Sequence, residues 1–173
     1  MAIVINGSGT VTGISVGGLP DGIVDAGTLA VNSRGTVLQV VQNALNPSAY
    51  TTVGQSWVAI TDMDVTITPA STSNKVLVTF SGGGAVVGSA TNQEKIGIRI
   101  KRDSTVVRSL GRYGFNRNDD YSSLPIFFTY LDSPSTTSAT TYTLEMLIDS
   151  GQLHINRDSV TNGGVSIAQE IAG

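Results

Sequence analysis

Short runs rich in β-branched residues, separated by turn residues, recur along most of the chain. Nine runs stand out, at residues 36–43, 57–68, 75–80, 94–103, 105–110, 124–131, 141–148, 153–157 and 165–171. Strands this short, with turn signals at this spacing, are typical of an antiparallel β-sandwich or barrel. Helix is nearly absent, and its single candidate is residues 26–31, with Asp25 as the N-cap. The sequence therefore predicts an all-β domain.

Local patterns predict how some of these runs connect. Residues 94–103, EKIGIRIKRD, place three isoleucines on one face and basic residues on the other, as in a half-buried strand. A turn at 102–104 follows, so that 94–110 predicts a β-hairpin. The tight connection at 149–151 predicts a second hairpin, between the two runs that flank it. The glycine-rich residues 81–84 indicate a bend, or a point of close packing within a strand.

The first 33 residues differ from this pattern. They carry two charged side chains, Asp21 and Asp25, and residues 1–35 contain eight of the chain's 20 glycines. Such a segment is too apolar for a disordered tail. It is also too rich in glycine to build a compact core by itself. We therefore expect residues 1–35 to form a short extended stem for attachment or oligomerisation, and residues 36–173 to form the β-sandwich.

The composition excludes several classes of protein. The chain has no cysteine and one histidine, which rules out disulfides, thiolate zinc sites and cysteine nucleophiles. Charged residues make up 13% and the net charge is −3, so that binding to nucleic acid is not expected. No run of 18 or more apolar residues is present, so membrane insertion is not expected either. No cofactor is predicted.

Five stretches of the sequence carry a resemblance to a known group of proteins. They are INGSGTVTGISVGGLPDGIVDAGTLAVN, GTVLQVVQ, DVTITPASTSNKVLVTFSGG, IGIRIKRDSTVV and GGVSIAQEIAG. Together they resemble tail-fibre-like proteins and other virion appendages of marine and cyanobacterial bacteriophages. The resemblance implies a structural protein of the virion, a homotrimer, with a jelly-roll-like C-terminal domain. Because the chain has no long shaft, three roles stay open: a short tail fibre for host adhesion, a head fibre, or a capsid decoration protein.

The stem is the predicted region of contact with other virion proteins, whether of the tail, of the portal-proximal region or of the capsid. Its apolar side chains are the expected attachment residues, namely Ile3, Val4, Ile5, Val11, Ile14, Val16 and Leu19.

Residues 110–121, LGRYGFNRNDDY, are the best candidate for recognition. Aromatic and arginine side chains dominate binding hot spots, because they combine large contact area with directional polar groups. Seven of the ten lysines and arginines also lie between Lys95 and Arg117, which predicts a local positive patch. Such a patch suits an anionic host glycan, a host protein or the carboxylates of a neighbouring subunit. Contact with a host receptor and contact with a neighbouring subunit therefore both stay open. The candidate contact residues are Arg112, Tyr113, Phe115, Asn116, Arg117 and Tyr121.

Catalysis is not expected, although a small glycan-active enzyme is the alternative from another class. His154 is the single histidine, and without a G-x-S-x-G context it is interpreted as a structural or surface residue. Two carboxylate pairs have the residue types of a glycosidase, Asp62 with Asp64 on one strand face and Asp119 with Asp120 in a polar loop. Both pairs are interpreted as solvated. Residues 116–120 contain oxygen ligands without the spacing of a calcium loop, so no metal is predicted.

Overall fold

The computed structural model describes residues 4–5, 11–12, 36–44, 51–53, 55–87, 93–116, 121–149, 152–155 and 164–173. Apart from one short 3-10 turn, the regular structure of these residues is entirely β. The strands are β1 Val4–Ile5, β2 Val11–Thr12, β3 Val37–Ala44, β4 Thr51–Val53, β5 Val58–Ala59, β6 Val65–Ile67, β7 Lys75–Val87, β8 Gln93–Arg102, β9 Thr105–Asn116, β10 Tyr121–Asp132, β11 Thr140–Ile148, β12 Gln152–Ile155 and β13 Gly164–Ile171. The 3-10 turn is Thr61–Met63.

The first sheet is built around the long strand β7. One side of β7 pairs with β10 along its length, from Val76 to Val87. The other side pairs first with β13, over Lys75–Gly82, and then with β12, over Gly84–Val87. β3 pairs with β13 and β4 pairs with β12 in the same way. The six segments therefore form four antiparallel strands, in the order β10, β7, β13 with β12, and β3 with β4.

The second sheet is built around β11. The short strands β5 and β6 both pair with one edge of β11, so that together they occupy a single strand position. The other edge of β11 pairs with β8, and β8 pairs with β9 in a hairpin. This sheet also has four antiparallel strands, in the order β5 with β6, β11, β8 and β9.

The chain passes from one sheet to the other at nearly every step, and the eight strand positions have the order of a jelly roll. β3 with β4, β7, β10, and β12 with β13 belong to the first sheet, and the remaining four positions belong to the second. Two four-stranded antiparallel sheets connected in this way are a jelly-roll sandwich. The prediction of an all-β, jelly-roll-like sandwich is confirmed.

Apolar residues at alternate positions of the strands fill the space between the sheets. Ile100 is fully buried and Ile96 nearly so, as the alternation in residues 94–103 predicts. Burial of apolar side chains is the main favourable contribution to the stability of such a core. The largest fully buried side chains are Tyr142, Phe80, Ile60, Met63, Ile67, Ile100, Leu144, Met146 and Ile148.

The predicted single strand over residues 57–68 is interrupted, because the 3-10 turn separates β5 from β6. The amide of Met63 donates to the carbonyl of Ile60 at 2.9 Å, and the amide of Asp64 donates to that of Thr61 at 3.0 Å. In an extended strand, residues 60 and 63 would point to opposite faces of the sheet. The turn brings both side chains into the core, where Ile60 and Met63 are almost completely buried. Burial of both residues is the physical reason for the interruption.

The hairpin predicted around residues 149–151 is wrong. β11 belongs to the second sheet, whereas β12 belongs to the first sheet and pairs with β4 and β7. Both edges of β11 already have partners, since β5 and β6 occupy one and β8 the other. The chain therefore crosses between the sheets after β11.

The other local predictions have mixed outcomes. The hairpin predicted over 94–110 is confirmed and is longer, extending from Gln93 to Asn116. Its turn contains Asp103 in the left-handed region, at φ 51°. The glycine-rich residues 81–84 do not end the strand, because β7 continues through them to Val87 with pairing on both sides.

Most of the predicted stem, with its helix candidate at 26–31, lies outside the described residues. Within it, β1 and β2 pair with each other, with Val4 opposite Thr12 and Ile5 opposite Val11. The division between residues 1–35 and 36–173 stays a prediction. Among the described residues there is no helix with the length and hydrophobicity that crossing a bilayer requires.

Candidate functional site

The jelly roll has two distinct ends, and the chain enters at one of them. We call this the proximal end, and it contains Thr36, Lys75 and Gly173. The amide of Ala172 donates to the carbonyl of Thr36 at 2.8 Å, and Ile171 pairs with Lys75. Residues 1–35 therefore join the domain at the proximal end.

The opposite, distal end is where several strands begin or finish. β7 finishes at Val87, which pairs with the first residue of β10, Tyr121, and with the first residue of β12, Gln152. In the second sheet, Gln93 at the start of β8 pairs with Asn116 at the end of β9. The connections at 88–92, 117–120 and 150–151 therefore all join the domain at the distal end.

The predicted recognition segment belongs to this distal end. Four of its candidate residues occupy the last part of β9, namely Arg112, Tyr113, Phe115 and Asn116, and Tyr121 begins β10. The segment is not one loop, because strand structure continues to Asn116 and resumes at Tyr121. The side chains of these residues, and the whole of Arg117, lie outside the described residues.

The predicted attachment residues are not tested by the structure. The backbones of Val4, Ile5 and Val11 lie in the β1–β2 pair, and their side chains lie outside the described residues. The whole of Ile3, Ile14, Val16 and Leu19 lies outside them.

A buried carboxylate at the proximal end binds the connection from β6, in the second sheet, to β7, in the first sheet. Glu170, on the inner face of β13, is 1% exposed. One of its oxygens accepts from the amide of Ala70 at 2.6 Å and from Asn74 Nδ2 at 2.5 Å, and the other accepts from Gln39 Nε2 at 2.6 Å. Burial by itself would raise the pKa of Glu170, but the hydrogen bonds from Asn74, Gln39 and the backbone outweigh it and lower the pKa. The ionised carboxylate thus holds β3, β13 and the β6–β7 connection together.

A second buried carboxylate at the proximal end joins β10 to the second sheet. Asp132 accepts from the hydroxyl of the fully buried Tyr142 at 2.8 Å, and it forms an ion pair with Arg102 Nη1 at 2.8 Å. Burial and the neighbouring carboxylate raise the pKa of the Tyr142 hydroxyl, so that it stays a donor. The two carboxylates therefore place two buried hydrogen-bonded networks at the proximal end.

The outer face of the second sheet carries a cluster of charges. Glu145 is 7% exposed and pairs with Arg99 Nε at 2.5 Å and with Lys101 Nζ at 3.4 Å. The Arg99 guanidinium also lies 4.2 Å from the ring centroid of Trp57. Gly97 gives the indole room, because a Cβ there would come within 3.0 Å of the ring.

This cluster corrects the predicted positive patch. Of the seven basic residues between 95 and 117, Arg99 and Lys101 are paired with Glu145, and Arg102 is paired with Asp132. Two carboxylates thus offset two of these three positive charges. The net positive charge of this region is therefore smaller than the sequence indicates.

The outer face of the first sheet is apolar instead. Among the described residues, five large apolar side chains are strongly exposed, and four of them lie on this face. They are Phe127 at 69%, Val40 at 56%, Val37 at 47% and Leu131 at 46%. This face is not among the predicted sites, although the sequence carries a signal for it: strands 124–131 and 165–171 have apolar residues at both odd and even positions.

The described residues do not assemble a catalytic arrangement. His154 is 7% exposed, in β12, so that it is buried rather than a surface residue. Asp62 lies exposed in the 3-10 turn and Asp64 follows that turn, which corrects their placement on one strand face. Asp119 and Asp120 lie outside the described residues. Across the described part of the chain, no three His, Asp or Glu side chains come together as a metal site.

Comparison with known proteins assigns no family. No protein-family model matches the chain, and no curated protein matches it. Among solved structures it is similar to infectious bursal disease virus Gt strain, at 13% identity and a TM-score of 0.40, over 78% of this chain and 38% of that chain. It is also similar to the T13 particle of the same virus, at 13% identity and a TM-score of 0.38, over 78% and 35% of the two chains. A third match, dimeric latent PorU from Porphyromonas gingivalis, has 11% identity and a TM-score of 0.38, over 80% and 11%.

The chain spans less than two-fifths of the length of each of these proteins. At such identities and TM-scores, the matches assign neither a family nor a function.

Proposed function

We propose that this chain is a structural protein of a bacteriophage virion, a short homotrimeric tail fibre or appendage that mediates host adhesion. The observation that carries the proposal is the two-ended jelly roll. The stem joins at Thr36 on the proximal end, and the segment with the candidate contact residues reaches the distal end. An adhesin needs this arrangement, because the particle and the host must be held at opposite ends of one domain.

The mechanism is multivalent binding rather than chemistry. Three copies held together would present three distal ends to the host surface, so that weak single contacts add up to a large avidity. The proximal carboxylates support this role, since Glu170 and Asp132 cross-link the strands of the end at which residues 1–35 join. The resemblance of the sequence to phage appendages agrees with the same role.

Adhesion is tested by measuring how well the purified full chain competes with phage particles for adsorption to host cells. We expect Arg112→Ser and Tyr113→Ser to weaken the competition. Arg108→Ser is the matched control, because Arg108 is an exposed arginine of the same strand, nearer to the proximal end. Equal competition by all of these variants and the wild type contradicts a receptor contact at 110–121, and favours a subunit contact there.

The second candidate role is capsid decoration or a head fibre, with the stem on the shell. It requires the same proximal attachment and differs in the partner. Density for this chain confined to capsid symmetry axes supports decoration and excludes the tail fibre.

A small glycan-active enzyme is the candidate from another class. We propose that the chain is not an enzyme, because His154 and the carboxylates at 62 and 64 do not form a site. The test is depolymerisation of host glycan by the wild type and by a variant with Asp119→Asn, Asp120→Asn and His154→Gln together. Activity in the wild type that this variant loses would overturn the proposal.

A further inference from the structure

The two outer faces of the sandwich differ in a way that indicates different surroundings. The face of the second sheet carries Arg99, Lys101 and Glu145, as the solvated face of an antiparallel sheet usually does. On the face of the first sheet, Lys75 at the rim is the single charged side chain among the described residues. We call this outer face of the first sheet the apolar face.

Rows of paired residues show that apolar side chains, interspersed with uncharged polar ones, extend across the four strands of the apolar face. One row is Leu131, Leu77, Gln169 and Val40, and each residue pairs with the next. Phe127, the most exposed of the large apolar residues, lies two rows away, and the row between them contains Thr129, Thr79 and Ile167. An exposed face with four large apolar side chains and one charge at its rim is typical of an interaction site.

Charge decides which partner suits this face. A highly charged partner would lose hydration there without gaining an ion pair, which disfavours binding. Other copies of this chain that turn the same face toward a shared three-fold axis bring no like-charge repulsion, and different parts of the face then bury apolar side chains against the two neighbours. The stem also enters at Val37, on the edge strand of the same sheet. Copies joined through their stems would therefore have this edge of the sheet close to the shared axis.

The size of the face sets how strong the contact can be. Four strands spaced by about 4.8 Å, each with about seven residues at 3.3 Å, cover roughly 450 Å² of flat sheet. A stable interface buries about 800 Å² on each partner. The apolar face is therefore a marginal interface that needs the stem as a second contact, and one charge placed on it should be enough to disrupt it.

We propose that the apolar face of the first sheet is the surface through which copies of this chain contact one another. The inference rests on the homotrimer of the proposed function, and it adds the location of the contact. The second sheet then stays exposed on the outside of the assembly, with its charged cluster in solvent.

The first test measures which face is covered, and uses the absence of cysteine from the natural chain. Thr129→Cys places one thiol on the apolar face, and Thr66→Cys places one on the outer face of the second sheet. The two positions are matched, since both threonines are exposed and each is hydrogen-bonded to a threonine of the neighbouring strand, at 3.1 Å and 2.8 Å. In the full chain we expect the thiol at 129 to react with a maleimide about tenfold more slowly than the thiol at 66. This factor corresponds to a face that is covered for about nine-tenths of the time, because only the uncovered fraction reacts.

The second test measures the number of copies by native mass spectrometry. We expect Phe127→Asp to reduce the wild-type trimer to monomer and to restore fast labelling at 129. Val106→Asp is the control, because Val106 is also an exposed apolar residue but belongs to the second sheet, and it should leave the trimer intact. Far-ultraviolet circular dichroism of each variant establishes that the β-sandwich remains folded.

Each other outcome overturns the proposal in a different way. A trimer with fast labelling at 129 rejects this face and leaves the homotrimer of the proposed function standing. A monomer with slow labelling shows that residues 1–35 of the same chain cover the face. A monomer with fast labelling rejects both the face and the homotrimer, whereas a role in the virion is decided separately, by locating the chain on the particle.

Discussion

Glu170 provides the sharpest test of how the proximal end is held together. In the variant Glu170→Gln one acceptor oxygen becomes an NH₂ group, so that a donor faces a donor in either orientation of the new amide. If the NH₂ group faces Gln39, that side chain can turn its own oxygen inward, but Gln39 Nε2 also donates to the carbonyl of Thr68 at 2.7 Å. Turning it would therefore break a second hydrogen bond.

The loss of stability follows from this count of donors. One buried donor without a partner costs about 1–3 kcal/mol, and the remaining bonds lose their charge assistance, so we expect Glu170→Gln to cost about 2–3 kcal/mol at pH 7. Glu170→Ala leaves the donors of Gln39, Ala70 and Asn74 all without this acceptor. We expect it to cost about 3–5 kcal/mol.

The pH dependence has a definite sign. The pKa of Glu170 is lower in the folded protein than its ordinary value of 4.5, so the unfolded chain binds the proton more readily. The stabilisation is therefore complete above pH 4.5 and is lost as the pH falls through the folded pKa. Glu170→Gln has no carboxyl to titrate, and the difference between it and the wild type should shrink as the solution is acidified.

Urea unfolding followed by the fluorescence of Trp57, the single tryptophan, measures these differences. The experiment is done at one protein concentration, because association of copies would also stabilise the folded state. Asp62→Asn is the matched control, since it removes an exposed carboxylate and should change stability by less than about 0.5 kcal/mol. A Glu170→Gln variant as stable as this control, or a difference that does not change with pH, would refute the role given to Glu170.

Three further predictions concern other described residues. Gly97→Ala should cost about 1 kcal/mol and shift the fluorescence of Trp57, because the added Cβ would come within 3.0 Å of the indole; an unchanged urea midpoint and spectrum would contradict this. Tyr142→Phe should cost about 1 kcal/mol in the same assay, since it removes the hydrogen bond to Asp132 and leaves the ion pair. Burial raises the pKa of Asp64, and one of its buried oxygens has no partner among the described residues. Asp64→Asn should therefore stabilise the protein at pH 7, by an amount that decreases as the pH falls and the wild-type carboxylate takes up its proton. A loss of stability at pH 7 would contradict this prediction.

The sequence predicts the fold class because period-2 alternation is a local property. Strands 36–43 and 165–171 are found close to their predicted bounds, strand 75–80 begins as predicted and continues to Val87, and the 94–110 hairpin is found with its turn. Pairing between distant strands is a different matter. Residues 149–151 suit a tight turn, but the partner of β12 is decided by which edges are already occupied, and no local pattern encodes that.

The candidate site was predictable only in part, for the same reason. Glu170 lies in VSIAQEI and has the sequence context of an ordinary surface residue, because its donors Gln39 and Asn74 are 131 and 96 positions away. The pairing of Arg99 with Glu145 likewise depends on the register of β8 with β11. The sequence indicates the apolar face only indirectly, through strands that have apolar residues on both sides. This pattern identifies an exposed apolar face only when it is known which side of each strand the sandwich buries.

The central claim is that one end of the jelly roll holds a particle and the other end faces away from it. A cryo-EM map of the phage particle that carries this chain tests this claim most directly, because it gives location, copy number and orientation together. The account predicts three copies on the tail, in contact through their first sheets, with Thr36 and Gly173 toward the particle and the connection at 117–120 pointing outward. Density in which the distal end contacts the particle, or particles that lack the chain, would contradict it.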